Sequence, residues 1–394
     1  MMNYRILLLT AGMFVIGTEA FMIAGLLPAL AEDLDVSISA AGQLVTVFSL
    51  AYAFGSPILA TLTGRMERRR LMTAAMLLFA IGNAICGWAA AYGLVFLGRV
   101  ITAAGAGLFA PAAAHTASVL SDPAHRGRAL SLVLGGATIA LILGVPAGTW
   151  MAYMLNWRLP FWIVAALSAA VAAGVRLFFP KVESPGSISL TERLSQLKRP
   201  LVLSALAASL TWGIGVFLVY TYIADIFGQF GADGRTVSFV LLLTGLASFA
   251  GVQFGGYAVD RYGSSRIIVL TLFLLLLAVT GLSLLHWIPG FTGPLVCGSA
   301  AMALWGFSGY AFNPAQQHRL IGLSGHAAGI VLSLHNSFIY LGTALGAIIG
   351  GVVLELGTAA ALGFCSGAAF VAALIAHGAS SRLAGKESGE SSRS

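Results

Sequence analysis

Charge is what this sequence has least of. Of its 394 residues only 9% are Asp, Glu, Lys or Arg, while 58% are hydrophobic. Soluble domains carry roughly a quarter charged residues, so this chain has too few to cover a water-facing surface, and a soluble globule is excluded. Cysteine is scarce as well: Cys86, Cys297 and Cys365 stand alone in apolar runs, without Cys-x-x-Cys or Cys/His spacing. That excludes a disulfide framework and a zinc site and leaves three small core residues. No G-x-x-x-x-G-K-[ST] occurs, so ATP does not drive the chain directly, and the lack of H-E-x-x-H or G-x-S-x-G leaves no hydrolytic chemistry to assign. No enzyme activity, cofactor or metal is expected. A net charge of +7 is of the sign that suits nucleic acid, but long uncharged runs separate the basic residues, so none is expected as a partner.

What is there is apolar length. A helix needs about 20 mostly apolar residues to cross the bilayer. Residues 36–64, 71–98, 129–157, 200–224, 236–259, 287–317 and 356–376 contain no Asp, Glu, Lys, Arg or His. Five further runs, 6–31, 93–120, 159–175, 267–285 and 327–354, are interrupted or closely bounded by such residues. Together they predict twelve membrane spans. The first run is longer than the apolar core of a cleaved leader and holds Glu19 at its centre, so it reads as a span despite the Ala29-Leu30-Ala31 sequence.

Loops rich in Lys and Arg stay in the cytoplasm. With the N-terminus inside, Arg65 to Arg70, Arg126, Arg128, Arg176, Lys181, Arg193, Lys198, Arg199, Arg261, Arg266, Arg319 and Arg382 are all cytoplasmic. Arg158 and Arg235 fall outside, where Trp88, Trp150, Trp157 and Trp287 collect as an aromatic belt. Both termini are then cytoplasmic. The hydrophilic segment 181–199, with Pro185-Gly186-Ser187, divides two six-helix units, 1–180 and 200–380, and the Ser- and Gly-rich tail 381–394 reads as disordered. An internal repeat supports the division: Gly55, Arg65 and Arg70 recur 196 residues later as Gly251, Arg261 and Arg266. Gly144 and Gly148 of the fifth run are matched by Gly342, Gly346 and Gly350 of the eleventh.

The loop Gly256-Tyr257-Ala258-Val259-Asp260-Arg261-Tyr262-Gly263 resembles the G-x-x-x-D-R-x-G loop of the major facilitator superfamily. Residues 60–70 (ATLTGRMERRR) resemble its first-half partner, with Gly64 in place of the aspartate and Glu67 in place of the second glycine. The run through Gly144-Val145-Pro146-Ala147-Gly148 resembles the antiporter motif of the drug:proton antiporter branch, and Trp157 to Trp162 its W-R-x-P-F segment. The resemblance covers about Arg5 to Ser380. It implies an all-α integral membrane protein whose twelve helices form two pseudo-symmetric six-helix bundles around a central cavity, as in the repeat-built secondary transporters. It also implies a monomer in the bacterial inner membrane that exports a small organic molecule, drug-, sugar- or nucleoside-like, by proton antiport. A proton-independent facilitator or nutrient importer would use the same fold.

An ionisable side chain at mid-bilayer is expensive and marks function by default. Glu19 is such a residue, suited to reversible proton binding, although a structural carboxyl group is the alternative. Arg99 resembles the fourth-helix arginine implicated in proton coupling. It stays charged, so it serves either to bias a nearby acid, with Glu19 the obvious partner, or to tie helices together. Gating is expected from Gly144, Pro146 and Gly148, where small residues allow close helix approach and proline bends the chain. Asp260, Arg261 and Gly263 are expected to latch the halves. Asn313, Gln316, Gln317 and Asn336 are neutral candidates for substrate contact, with Trp212 and Tyr220 as aromatic ones; Phe14, Tyr52, Phe109 and Trp305 are weaker aromatic candidates. His115 and His335 either relay protons or pack, and Asp225 either meets water or draws cations.

Overall fold

The structure is a computed structural model describing residues 4–391 except 123, 124, 185, 187, 188 and 289–292; the side chains of 326 and 386–391 also lie outside it. Pro185 and Ser187 of the expected linker therefore fall outside the described residues. Among the described residues, twelve helices have the length and composition of membrane spans: α1 Tyr4–Asp33, α2 Ile38–Leu62, α3 Arg68–Trp88, α4 Tyr92–Val119, α5 Arg126–Met154, α6 Arg158–Phe178, α7 Pro200–Tyr220, α8 Gly234–Tyr262, α9 Ser264–Trp287, α10 Pro294–Ser324, α11 Ala328–Leu356 and α12 Ala359–Gly385. The last continues to Ser391, so the tail expected to be disordered is helical up to there. Two short helices, Leu190–Ser195 and Ile223–Gln229, lie between spans.

In lipid every backbone polar group must be satisfied within the protein, and apolar runs of about 20 residues achieve this as helices, each within its own segment. The ends are fixed by capping residues at the spans' edges: the Ala40 amide donates to Ser37 Oγ (3.0 Å), the Arg69 amide to Glu67 Oε1 (3.1 Å) and the Thr236 amide to Asp233 Oδ1 (2.9 Å).

Helices α1–α6 form one bundle and α7–α12 the other, each held by glycine contacts at equivalent places. In the first, α5 lies on α1: a Cβ at Gly136 would run into the Thr10 carbonyl, and one at Gly144 into the Thr18 side chain. In the second, α11 lies on α7 the same way, with Gly346 2.6 Å from the Ile214 carbonyl oxygen and Gly342 3.0 Å from Gly213 Cα, each measured from the Cβ a side chain would add.

The bundles meet along α2–α11 and α5–α8. Ring stacks join them from mid-helix, Tyr52 on Tyr340 with centroids 3.9 Å apart, towards the end opposite the linker, where Phe21 stacks on Phe217 at 6.2 Å. At that end Tyr222, just after α7, donates to the Ala347 carbonyl (2.7 Å) and presses its ring between Gly350 of α11 and Gly42 of α2. The halves are shut there.

At the other end the α2–α3 turn grips the linker. The Arg68 amide donates to the Val182 carbonyl (2.9 Å), the Val182 amide to Glu67 Oε1 (3.4 Å) and Arg69 Nη1 to the Phe179 carbonyl (3.1 Å); Ser184 Oγ donates to the Gly64 carbonyl. Further along, Arg193 Nη1 reaches Ser333 Oγ of α11 (2.9 Å). Of the cysteines only Cys86 is buried; Cys365 is half-buried and Cys297 exposed. Trp88, Trp150 and Trp287 are exposed as a belt requires. Trp157 is instead buried, under the Arg158 guanidinium 4.3 Å from its ring. Arg158 is held by Asp33 (2.8 Å) and the Ala89 carbonyl, which fixes the start of α6 to its neighbours.

Candidate transport site

Between the bundles, at mid-membrane depth, lies a cavity of about 150 Å³, bounded by α1, α2, α4, α7, α10 and α11. Its wall is aromatic: Phe21, Phe48, Trp212, Phe217, Tyr220, Trp305, Tyr310 and Tyr340 face it, with Ser49, Asn313, Thr343 and Arg99 as polar members.

Arg99 is fully buried and forms an ion pair with Glu19, also fully buried. Thr102 Oγ1 donates to the same carboxylate oxygen (3.1 Å), Arg99 Nε donates to the Leu44 carbonyl (3.1 Å), and the guanidinium lies 4.3 Å over the Phe48 ring. Helices α1, α2 and α4 are thereby joined at one point. Glu19 Oε2 and Arg99 Nη2 have no hydrogen-bond partner among the described residues. The pair thus retains one free acceptor and one free donor, the second on a residue of the cavity wall.

On α5 the chain takes a π-helical turn over Ala140–Gly144 immediately before Pro146, and the Val145 amide bonds back to the Ala140 carbonyl. Proline supplies no amide for the regular ladder, and a π-turn absorbs the mismatch. The turn places the Leu141 carbonyl against Gly245 of α8, so the expected joint is where the two bundles cross. A Cβ at Gly148 would lie 3.0 Å from Met22 Sδ, so this glycine adds to the α1 contact.

The remaining candidates divide. Asn313, Trp212 and Tyr220 line the cavity. Gln316 does not: it is fully buried and donates to the Ala205 carbonyl (2.7 Å) and Ser209 Oγ (3.0 Å), tying α10 to α7. His335 Nδ1 shares that serine at 2.9 Å, which sets it against α7 and outside the cavity wall. Asn336 is exposed one turn from Tyr340 and is not in the wall, and Gln317 is also exposed. Phe109 is spent against Gly12, and Phe14 lines a separate apolar crevice between α1, α5 and α6. His115 is half-buried on α4. Asp225 sits beside Gln229, whose Nε2 donates to it (3.3 Å), and burial pushes its carboxyl group up from the ordinary range. Gly263 joins α8 to α9 at φ +82°, a conformation that suits glycine, but Asp260 and Arg261 are exposed. Among the described residues Arg261 contacts only Tyr257 (3.1 Å) and the Tyr262 ring, so neither residue latches the halves in this conformation. Phe21, Phe48, Tyr310 and Tyr340 were not legible as wall residues, since aromatics facing lipid look the same in a sequence.

Gln316→Leu is expected to leave substrate affinity unchanged while costing about 1–3 kcal/mol of stability, the penalty for orphaning buried partners. Titration of ligand and a thermal melt of the same purified sample separate these effects; a large affinity loss without a stability loss would return Gln316 to the substrate site.

Two like-folded bundles around a cavity with a buried ion pair at its wall define a secondary transporter, not an enzyme. The chain belongs to the major facilitator superfamily, whose family model matches residues 9–347. It is 32% identical over 375 residues to the uncharacterized MFS-type transporter YbcL of Bacillus subtilis (strain 168), covering 95% of each chain. It is 33% identical to the inner membrane transport protein YdhP of Escherichia coli (strain K12), covering 90% of each. It is also 32% identical to a chloramphenicol resistance protein of Streptomyces lividans, over 64% of this chain and 66% of that one. The fold superimposes on a point mutant of the nucleoside transporter NupG with a TM-score of 0.77 at 14% identity, covering 96% of this chain and all of NupG.

Proposed function

We propose that the protein exports a small organic molecule across the bacterial inner membrane in exchange for protons, by alternating access of the central cavity. The Glu19–Arg99 pair carries this reading: a carboxylate at mid-membrane, held by a guanidinium that is itself part of the cavity wall. Protonation of Glu19 loosens its hold on Arg99, and ligand at Arg99 alters the hold from the other side. The two events are coupled because they share one side chain. The α5 π-turn and its contact with Gly245 supply the crossing about which the bundles rock, and a relative carrying the name of a chloramphenicol resistance protein supports the outward direction. We further propose that Asp260, Arg261 and Gly263 latch the halves in the conformation closed at the linker end.

The test is flux of chloramphenicol in proteoliposomes with an imposed pH gradient. Accumulation that vanishes when a protonophore collapses the gradient supports antiport; flux indifferent to the gradient would favour a facilitator. The monomer carries both termini in the cytoplasm in this reading. A reporter active only outside the cytoplasm is therefore silent when fused after Arg70, Arg128 or Lys198 and active after Asp35 or Asp233. The reverse pattern would invert the topology.

A further inference from the structure

We propose that the cavity selects acceptor-rich aromatic molecules that are neutral or anionic, and rejects organic cations. The inference rests on the transport reading of the cavity. Three polar atoms on residues of its wall are buried without a hydrogen-bond partner among the described residues: Arg99 Nη2, Trp212 Nε1 and Trp305 Nε1. Their residues are 0%, 4% and 2% exposed. All three atoms are donors with no capacity to accept. A buried donor without an acceptor is costly, so a ligand bringing nitro, carbonyl, ether or carboxylate oxygens relieves a cost already present in the protein.

Among the described residues no carboxylate lies in the wall to match a cation. Glu19 sits behind Arg99, with one oxygen taken by Arg99 and Thr102. Aromatic faces also attract cations, and the geometry decides against that here. Trp212 lies flat on Phe312 (centroids 5.0 Å, planes 8° apart) and Tyr220 flat on Trp305 (5.5 Å, 6°), so each of these rings has one face committed to its neighbour. Phe48 already carries the Arg99 guanidinium on its ring. A cation in this volume would find the nearest carboxylate already paired with Arg99, whereas an aromatic ring of the ligand extends the stacks. Asn313, Ser49 and Thr343 add neutral groups that adapt to the rest of the ligand.

Binding to the purified full-length protein in detergent tests this without a gradient. Displacement of radiolabelled chloramphenicol, a neutral nitroaromatic, is compared for triphenylphosphine oxide and tetraphenylphosphonium, which share phenyl groups but carry an acceptor oxygen and a positive centre respectively. The oxide is expected to displace at a concentration at least about tenfold lower. Trp305→Phe and Trp212→Phe keep the stacked ring and delete the donor. Each is expected to weaken chloramphenicol roughly two- to tenfold, the worth of one hydrogen bond, and to leave triphenylmethane, which has no acceptor, unchanged. Equal or better displacement by the phosphonium, wild-type affinity in both Phe variants, or no binding of chloramphenicol and the oxide overturns the proposal. If only the antiport reading fails, flux loses its dependence on the pH gradient while this selectivity persists.

Discussion

Glu19→Gln is expected to abolish uphill, pH-driven accumulation in vesicles, to the level of protein-free liposomes, while exchange of substrate down its own gradient survives within a few-fold. Glutamine keeps a carbonyl oxygen for Arg99 and for Thr102, the two groups that hold the carboxylate now, so the α1–α4 junction persists. What is lost is the ability to exchange a proton. Glu19→Ala is the wrong variant for this purpose: it strands a buried guanidinium, at a cost of about 3–5 kcal/mol for removing one partner of a buried pair. Transport would then fail for reasons of folding. Wild-type accumulation by Glu19→Gln would move the proton site elsewhere, with Asp225 and His115 the next to test.

The second large effect is expected at Gly42→Leu. Gly42 touches the Tyr222 hydroxyl and ring where α2 meets the opposite bundle, and Tyr222 cannot swing away freely because Ala347 and Gly350 hold it from behind. Overpacking of this kind costs about 1–3 kcal/mol. Only the conformation shut at this end bears that cost, so the equilibrium between conformations shifts by roughly 5- to 150-fold towards the one open there. Distances between spin labels on the ends of α2 and α11 remote from the linker should lengthen, and turnover should fall. An unchanged distance distribution would show that Tyr222 yields and that the contact does not gate.

Much of the fold was legible because the bilayer imposes a simple arithmetic of length and charge: all twelve spans followed from apolar runs, and Glu19 and Arg99 declared themselves by being ionisable where they are expensive. Their contact was a guess that the packing of α1 on α4 made into an ion pair. Gln316 and Asn336 misled because a polar side chain on a membrane helix looks the same whether it faces a ligand, a neighbouring helix or an open cleft. Only the rotation of α10 and α11 decides that. Tyr222 and Gly42 gave no signal at all, since each is commonplace in its own segment and becomes informative only when two distant segments meet. The Glu67 turn resembles a weakened latch in sequence, yet its polar groups grip the linker instead.

That grip sets a length. The chain is fastened to the first bundle at Ser184, through Gly64 and Arg68, and to α11 at Arg193, through Ser333. Between these points the segment from 184 to 190 spans at most about 20 Å when fully extended, and the helix from Leu190 to Arg193 adds only about 4.5 Å. While both fastenings hold, the linker is a leash of roughly 25 Å that caps how wide the mouth at this end can gape. The amplitude of the motion is then written in the number of residues between two anchors, and lengthening that stretch with glycine and serine would widen the mouth without touching a single residue of the cavity.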